Sequence, residues 1–370
     1  MLLLTGLVVM AASGSAMAEK EPTLRDAAGN KVLIGAAASS QDLKDPKFVA
    51  LYLKHFNAVT AHADMMPSRL VDDHGRYDFS HADAVADFAR ENGLALYGHM
   101  LLWQHLSRDW LFKYKEGKPL SREAALANLK GYIDTVAGRY RGQVKAWDVV
   151  NEALSDEGDE YLRDIPARRA IGDDFIIQAF KLAQAADPEA ELYYNDYNIE
   201  LPYKRAKALR LLRELREAGV RIDAVGIQGH WMLDDKHPST DVISDAIREF
   251  QAAGFKVMIT ELDVDVLPRT TSGANLESVE EGPNPYPGGL PGEVQQQLAR
   301  RYAAIFEAIL KPGGVTMITF WGTHDGHSWL NDFPVKRRTN HPLLFDRNLE
   351  PKPAFQAVVD ALERADASNR

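Results

Sequence analysis

Eight short apolar runs, alternating with amphipathic stretches, constrain this chain more than anything else in it. The runs are Val32–Ala37, Asn57–His62, Ala95–Leu102, Val144–Ala153, Glu191–Asn198, Ala224–His230, Val257–Val266 and Val315–Gly322. Apolar runs bounded by turns and separated by helical patterns are the βαβα signature of a parallel sheet. Helices are expected over Ser121–Arg141, Asp173–Ala186, Pro202–Ala218, Thr240–Ala253 and Glu293–Leu310, with Pro202 in a first turn and Gly219 and Gly254 just past helix ends. Length alone admits two ordinary domains, but eight strand–helix pairs in 370 residues favour one closed (β/α)8 barrel. An open dinucleotide-binding sheet loses its main support because no G-x-G-x-x-G follows the first strand.

Composition then excludes whole classes of function. The net charge is −10 and no Lys/Arg block occurs, so there is no footprint for nucleic acid; the partner is uncharged or a small ligand. The absence of cysteine removes disulfides, thiolate zinc sites and cysteine nucleophiles together. Met1–Ala12 is almost wholly apolar and is followed by Ala16-Met17-Ala18 ahead of Glu19-Lys20, so residues 1–18 read as a signal peptide and 19–370 as the mature chain, secreted or periplasmic. The missing basic residue before the apolar run is off-pattern. No later segment is apolar over 18 residues, so no membrane anchor is expected after signal removal.

Barrels gather their chemistry at the C-terminal ends of the strands. There the sequence offers His62, His99, Asn151-Glu152, Asn195-Asp196, Gln228 with His230, Glu261 with Asp263, and Trp321. Taken singly, a glutamate ending a strand is more often a loop anchor, and a lone Trp more often core. Taken together, Glu152 and Glu261 each follow apolar residues in the fourth and seventh runs, which lie on opposite sides of a barrel mouth. Two carboxyl groups flanking one linkage are what glycoside hydrolysis needs, and a pair about 5–5.5 Å apart would give retention through a covalent intermediate. One must be protonated and the other ionised. His230, oriented by Asp263, is the candidate for holding Glu261 ionised, while Glu152 would keep its proton in a drier place. Trp103, Trp321 and Trp329 offer flat faces for a sugar ring, and Asn151, Gln228 and His99 offer hydroxyl partners. No metal or other cofactor is required; the Asp72-Asp73-His74 run, followed by Gly75, reads as a solvated turn.

At these residues the chain resembles glycoside hydrolase family ten, the retaining endo-1,4-β-xylanases. The resemblance is carried by WDVVNEA (147–153), YYNDYNIE (193–200), GIQGH (226–230), ITELD (259–263) and WGTHDGHSW (321–329), in the family's order. It implies a (β/α)8 barrel with Glu152 as acid/base and Glu261 as nucleophile. It implies further that Asn151 bonds the 2-hydroxyl of the cleaved sugar, that His230 and Asp263 tune the nucleophile, and that His99, Trp103, Asn195, Tyr197, Gln228, Trp321 and Trp329 line the sugar sites. The expected partner is xylan or a xylo-oligosaccharide, and the expected state a monomer. The second strand departs from the family's T-x-E-N-x-M-K pattern: His62 stands for the glutamate, Ala63 for the asparagine and Met66 for the lysine, and Gln104 replaces a histidine further on. A weakened or altered glycone site follows, because each lost hydrogen bond to a bound sugar is worth on the order of 1 kcal/mol. A Pro/Gly-rich stretch over 268–292, including NPYPGGLP, is expected as a loop on the catalytic face. Two other readings stay open: a carbohydrate-binding barrel that no longer cleaves, and a metal-dependent barrel hydrolase, for which His99 and His230 supply too few ligands.

Overall fold

The computed structural model describes residues 21–105, 107–268 and 282–367. Eight parallel strands carry the architecture: β1 (Leu33–Ala38), β2 (Ala58–Ala61), β3 (Ala95–Gly98), β4 (Val144–Asn151), β5 (Glu191–Asp196), β6 (Ala224–Ile227), β7 (Lys256–Asp265) and β8 (Val315–Phe320). Each pairs in parallel with the next, and β8 pairs back onto β1 through Leu33↔Met317 to Ala36↔Phe320, which closes the sheet. Closure removes every sheet edge. The architecture is a single-domain (β/α)8 barrel.

Inside the barrel one layer of side chains alternates in size around the ring. Ala58, Ala146 and Ala224 of β2, β4 and β6 leave room for Tyr97, Tyr193 and Met258 of β3, β5 and β7, and Met317 of β8 completes the layer. The barrel is therefore filled, not open. Two positions further along their strands, with the same inward pointing, polar residues take over: Tyr97 gives way to His99, Ala146 to Asp148, Tyr193 to Asn195 and Met258 to Thr260, all buried. This switch from apolar to polar at one height marks the floor of the site.

The expected helices form over Arg122–Arg139, Phe175–Ala186, Pro202–Glu217, Thr240–Ala252 and Gly292–Leu310, joined by others over Pro46–His55, Ser80–Glu91 and Pro353–Ala367. Ser121 and Ser239 cap two of them through Ala124 N and Val242 N, and Pro202 occupies a first turn. Several strands end a residue or two inside their apolar runs, and two are interrupted. The third breaks after Gly98 and resumes as Leu102–Trp103 beside β4; the sixth breaks at Gln228-Gly229 and resumes as His230–Met232 beside β7. Residues 1–20 and 269–281 lie outside the described residues, and with them the signal segment and most of the 268–292 stretch. Its described end is bound to the segment after β8: Thr339 N donates to Asn284 Oδ1 at 3.0 Å, and His341 Nε2 lies 3.0 Å from the Tyr286 carbonyl oxygen.

Candidate active site

Glu152 directly follows β4, and its φ of 58° places it in the left-handed region. Its amide donates to the Asn195 carbonyl at 2.9 Å, continuing the β4–β5 pairing through the turn. Glu261 lies within β7, where its amide bonds the Gln228 carbonyl at 2.8 Å. Both glutamates are about 5% exposed, so neither is a solvated loop group.

A chain of carboxamides links them. Gln228 Nε2 donates to Glu152 Oε1 at 2.9 Å and to Asn151 Oδ1 at 3.1 Å. Asn195 Nδ2 donates to that same Asn151 oxygen at 3.2 Å and to Glu261 Oε1 at 2.7 Å. Thr260, one residue before Glu261, donates its hydroxyl to Asn195 Oδ1 at 2.6 Å and so fixes which way that carboxamide faces. Gly226 must be glycine here: a Cβ would lie 2.4 Å from Asn195 Oδ1. Four strands are thus locked together at one level by the amide donors of Gln228 and Asn195, which gives the two carboxyls fixed positions, while Gln228 Oε1 is buried without a partner.

Their surroundings drive their proton affinities apart. Burial pushes Glu152 up to about 7; the charges of Asp196 and Glu261 add to this, while the donors Gln228 and Trp103 oppose it. Glu261 is equally buried, which would raise it, yet the hydrogen bond from His230, the charges of His99 and His230 and the donor Asn195 hold it below the ordinary glutamate range. His230 sits between two carboxylates, with Nε2 3.3 Å from Glu261 Oε2 and Nδ1 3.0 Å from Asp263 Oδ1. Burial works against its charge, but Asp263 and Glu261 lift it to about 10, so at neutral pH it is an imidazolium donating from both nitrogens. His99 is raised as well, despite burial, by its Asp148 partner at 3.1 Å and the charges of Glu261 and Glu152.

The tryptophans are wired into this network. Trp103 donates its indole N–H to Glu152 Oε2 at 2.9 Å, and Trp329 donates to Asp263 Oδ2 at 2.7 Å while its ring lies 4.8 Å from that of His230. Trp321 is centred among three imidazoles, 5.2 Å from His62, 5.0 Å from His99 and 6.3 Å from His230. Eleven of the twelve residues assigned a catalytic or sugar-binding role from the sequence thereby fall into one contiguous cluster. Tyr197 stands apart: its hydroxyl bonds Asp156 and Arg163, and its ring lies under the Lys204 ammonium at 3.8 Å. Thr260, Asp148 and Tyr194 are parts of the site that sequence reasoning did not single out, and Asp196 was named there only as a polar strand end. The period-two position beneath Asn151-Glu152 and the hydroxyl preceding Glu261 were the available signals. On the β2 and β3 side the lining turns apolar: Met66, Met100 and Trp103 form a buried cluster with Ala63 against it. Among the described residues no group of three or more His, Asp or Glu could hold a metal ion.

A family model described as glycosyl hydrolase family 10 matches residues 23–361. The chain belongs to that family. It is 39% identical over 357 residues to an endo-1,4-beta-xylanase A of Xylanibacter ruminicola, covering 94% of this chain and 96% of that one. It is 38% identical to an endo-1,4-beta-xylanase of Geobacillus stearothermophilus, covering 93% of this chain and 100% of the relative. Among solved structures, a GH10 endoxylanase retrieved from a sugarcane soil metagenome superposes with a TM-score of 0.86 at 38% identity, over 91% of this chain and 99% of that chain. A mutant protein in complex with xylotriose superposes with a TM-score of 0.82 at 35% identity, over 91% and 99%. The chain is a glycoside hydrolase.

Proposed function

We propose that this family 10 member is a retaining endo-1,4-β-xylanase that uses Glu152 as general acid/base and Glu261 as nucleophile. The observation that carries the reading is the opposed tuning of two buried glutamates joined by one hydrogen-bonded frame: Glu152 is held up to about 7 while Glu261 is held down. In the first step the ionised Glu261 oxygen attacks the anomeric carbon. The bond to the glycosidic oxygen breaks, and that oxygen takes the proton from Glu152. In the second step Glu152, now a carboxylate, takes a proton from water. The water oxygen then attacks the anomeric carbon and releases Glu261, whose returning negative charge faces the His230 imidazolium. The xylan assignment draws on the activities named for the relatives and on the xylotriose complex of a structural neighbour.

A second reading concerns the glycone side and is favoured by the apolar cluster of Met66, Met100 and Trp103 with Ala63 beside it. His62 there is biased toward the neutral form, by burial first and then by the charge of His99. A wall of this kind offers few hydrogen-bonding groups to a bare sugar and suits a glycone carrying less polar decoration. Export through the 1–18 segment and a monomeric state complete the proposal.

Incubation with purified xylan and with arabinoxylan tests it, with products followed by chromatography and the fresh reducing end by NMR. Internal cleavage giving the β anomer first is the expected result; an α anomer first, or release of single sugars from chain ends only, would defeat it. Faster cleavage of substituted than of linear xylo-oligosaccharides is what the glycone reading requires.

A further inference from the structure

The loop that carries Glu152 is fastened from below by the end of β5. A left-handed φ of 58° at a residue with a Cβ persists only where the surroundings impose it. Here the hydroxyl of Tyr194 accepts hydrogen bonds from two successive amides, Ala153 N and Leu154 N, both at 3.0 Å. That hydroxyl has one proton to give, and it donates it to Asp196 Oδ2 at 2.5 Å. The other Asp196 oxygen accepts from the Tyr197 amide at 2.9 Å and from the Lys204 ammonium at 2.8 Å. Tyr194, Asp196 and Lys204 are each 0% exposed, so the orientation of the hydroxyl is fixed on every side. Lys204 also reaches Asp156 Oδ1 at 2.7 Å, further along a loop closed by the Leu154↔Leu162 bridge.

Without the hydroxyl, two buried N–H groups immediately after Glu152 would lose their acceptor, and the turn would relax toward ordinary backbone angles. The side chain at 152 would swing with it. Trp103 and Gln228 each grip one carboxyl oxygen at its tip, and the Glu152 amide bond to the Asn195 carbonyl holds the strand side of the turn; the Tyr194 clamp acts on the two backbone amides that follow.

We infer that Tyr194, oriented by Asp196 and Lys204, is a positioning residue for proton transfer at Glu152. The inference rests on the reading of Glu152 as the general acid/base. Asp196 has a second effect in the same direction, since its buried charge is, after burial itself, a cause of the raised proton affinity of Glu152.

The test compares kcat/KM for phenyl and dinitrophenyl β-glycosides of one xylo-oligosaccharide. Phenolate needs a proton to leave and dinitrophenolate does not, so only the first reports the acid. Glu152→Ala is the internal standard, and Tyr194→Phe the variant in question. Tyr194→Phe is expected to lose about 10- to 100-fold on the phenyl glycoside, the scale of a misplaced acid, while staying near the parent rate on the dinitrophenyl glycoside. Equal loss on both, or loss on neither, overturns the inference when Glu152→Ala shows the split. If Glu152→Ala shows no split, the reading of Glu152 falls and takes the inference with it. Should Tyr194→Phe not fold, Asp196→Asn keeps the shape and carries the same comparison. It is also expected to move the alkaline limb of the kcat/KM profile to lower pH; an unmoved limb with no leaving-group split counts against the clamp.

Discussion

Replacing Glu152 by Gln tests the tuning of this carboxyl through stability, independently of any substrate. In an unstructured chain the group releases its proton near 4.5, whereas in the fold it keeps it to about 7, burial being the main cause. A carboxyl raised in this way weakens the fold when it ionises: nothing is lost below about 4.5, the cost grows as pH rises from there, and it is complete above about 7. The separation of 7 − 4.5 corresponds, at about 1.4 kcal/mol per pH unit, to on the order of 3 kcal/mol. A carboxamide at this position cannot ionise and escapes this cost. It brings a different one, because both Glu152 oxygens accept N–H donors at 2.9 Å and the new NH2 must face one of them, for about 1–3 kcal/mol. That second term is the same at every pH, so the observable is the change in the difference between the two proteins. Urea unfolding from about pH 4 to about pH 9 should show Glu152→Gln gaining on the parent by on the order of 3 kcal/mol, with the change centred between 4.5 and 7. A difference that stays constant across that range would refute the burial argument for Glu152.

Trp103→Phe removes the donor on Glu152 Oε2, which favours the ionised form, so the alkaline limb of kcat/KM should move up by about one pH unit; an unmoved limb would show that the bond does not tune the acid. His230→Gln exchanges an imidazolium for a neutral amide beside Glu261. The acid limb should then rise by about one to three pH units, and an acid limb that stays in place would mean that His230 is not what holds Glu261 ionised. Asn195→Ala takes away the 2.7 Å donor to Glu261 and leaves the Thr260 hydroxyl without its acceptor, so denaturant unfolding should register a loss of about 1–3 kcal/mol along with a fall in kcat.

Much of this was legible because the barrel writes itself twice in the sequence, once as apolar runs and once as the residues that end them. Glu152 stands out as a carboxylate at the end of an apolar strand and Glu261 as one inside a strand that runs on to Asp265, and the segments around them place the family. The runs overstated β3 and β6, since apolar character continues through Leu101 and past Gln228 while the backbone turns. Those two interruptions set His99 and Gln228 into the site, and only Gly229, with φ of 85°, hinted at one of them. Hydrogen-bond direction was not legible. Trp103 and Trp329 read as flat sugar platforms, yet each also donates its indole N–H to a carboxylate, a contact that depends on loops folding across one another. The clamp under Glu152 was hidden for the same reason: Tyr194 and Asp196 lie on β5, and the amides they govern follow β4.

Trapping the covalent intermediate addresses the central claim most directly. A 2-deoxy-2-fluoro xylobioside with a good leaving group should inactivate the enzyme in a single turnover, and peptide mass spectrometry should find one glycosyl adduct, on Glu261. Inactivation with the sugar on any other residue, or turnover without an adduct and with inversion at the anomeric carbon, would contradict the account.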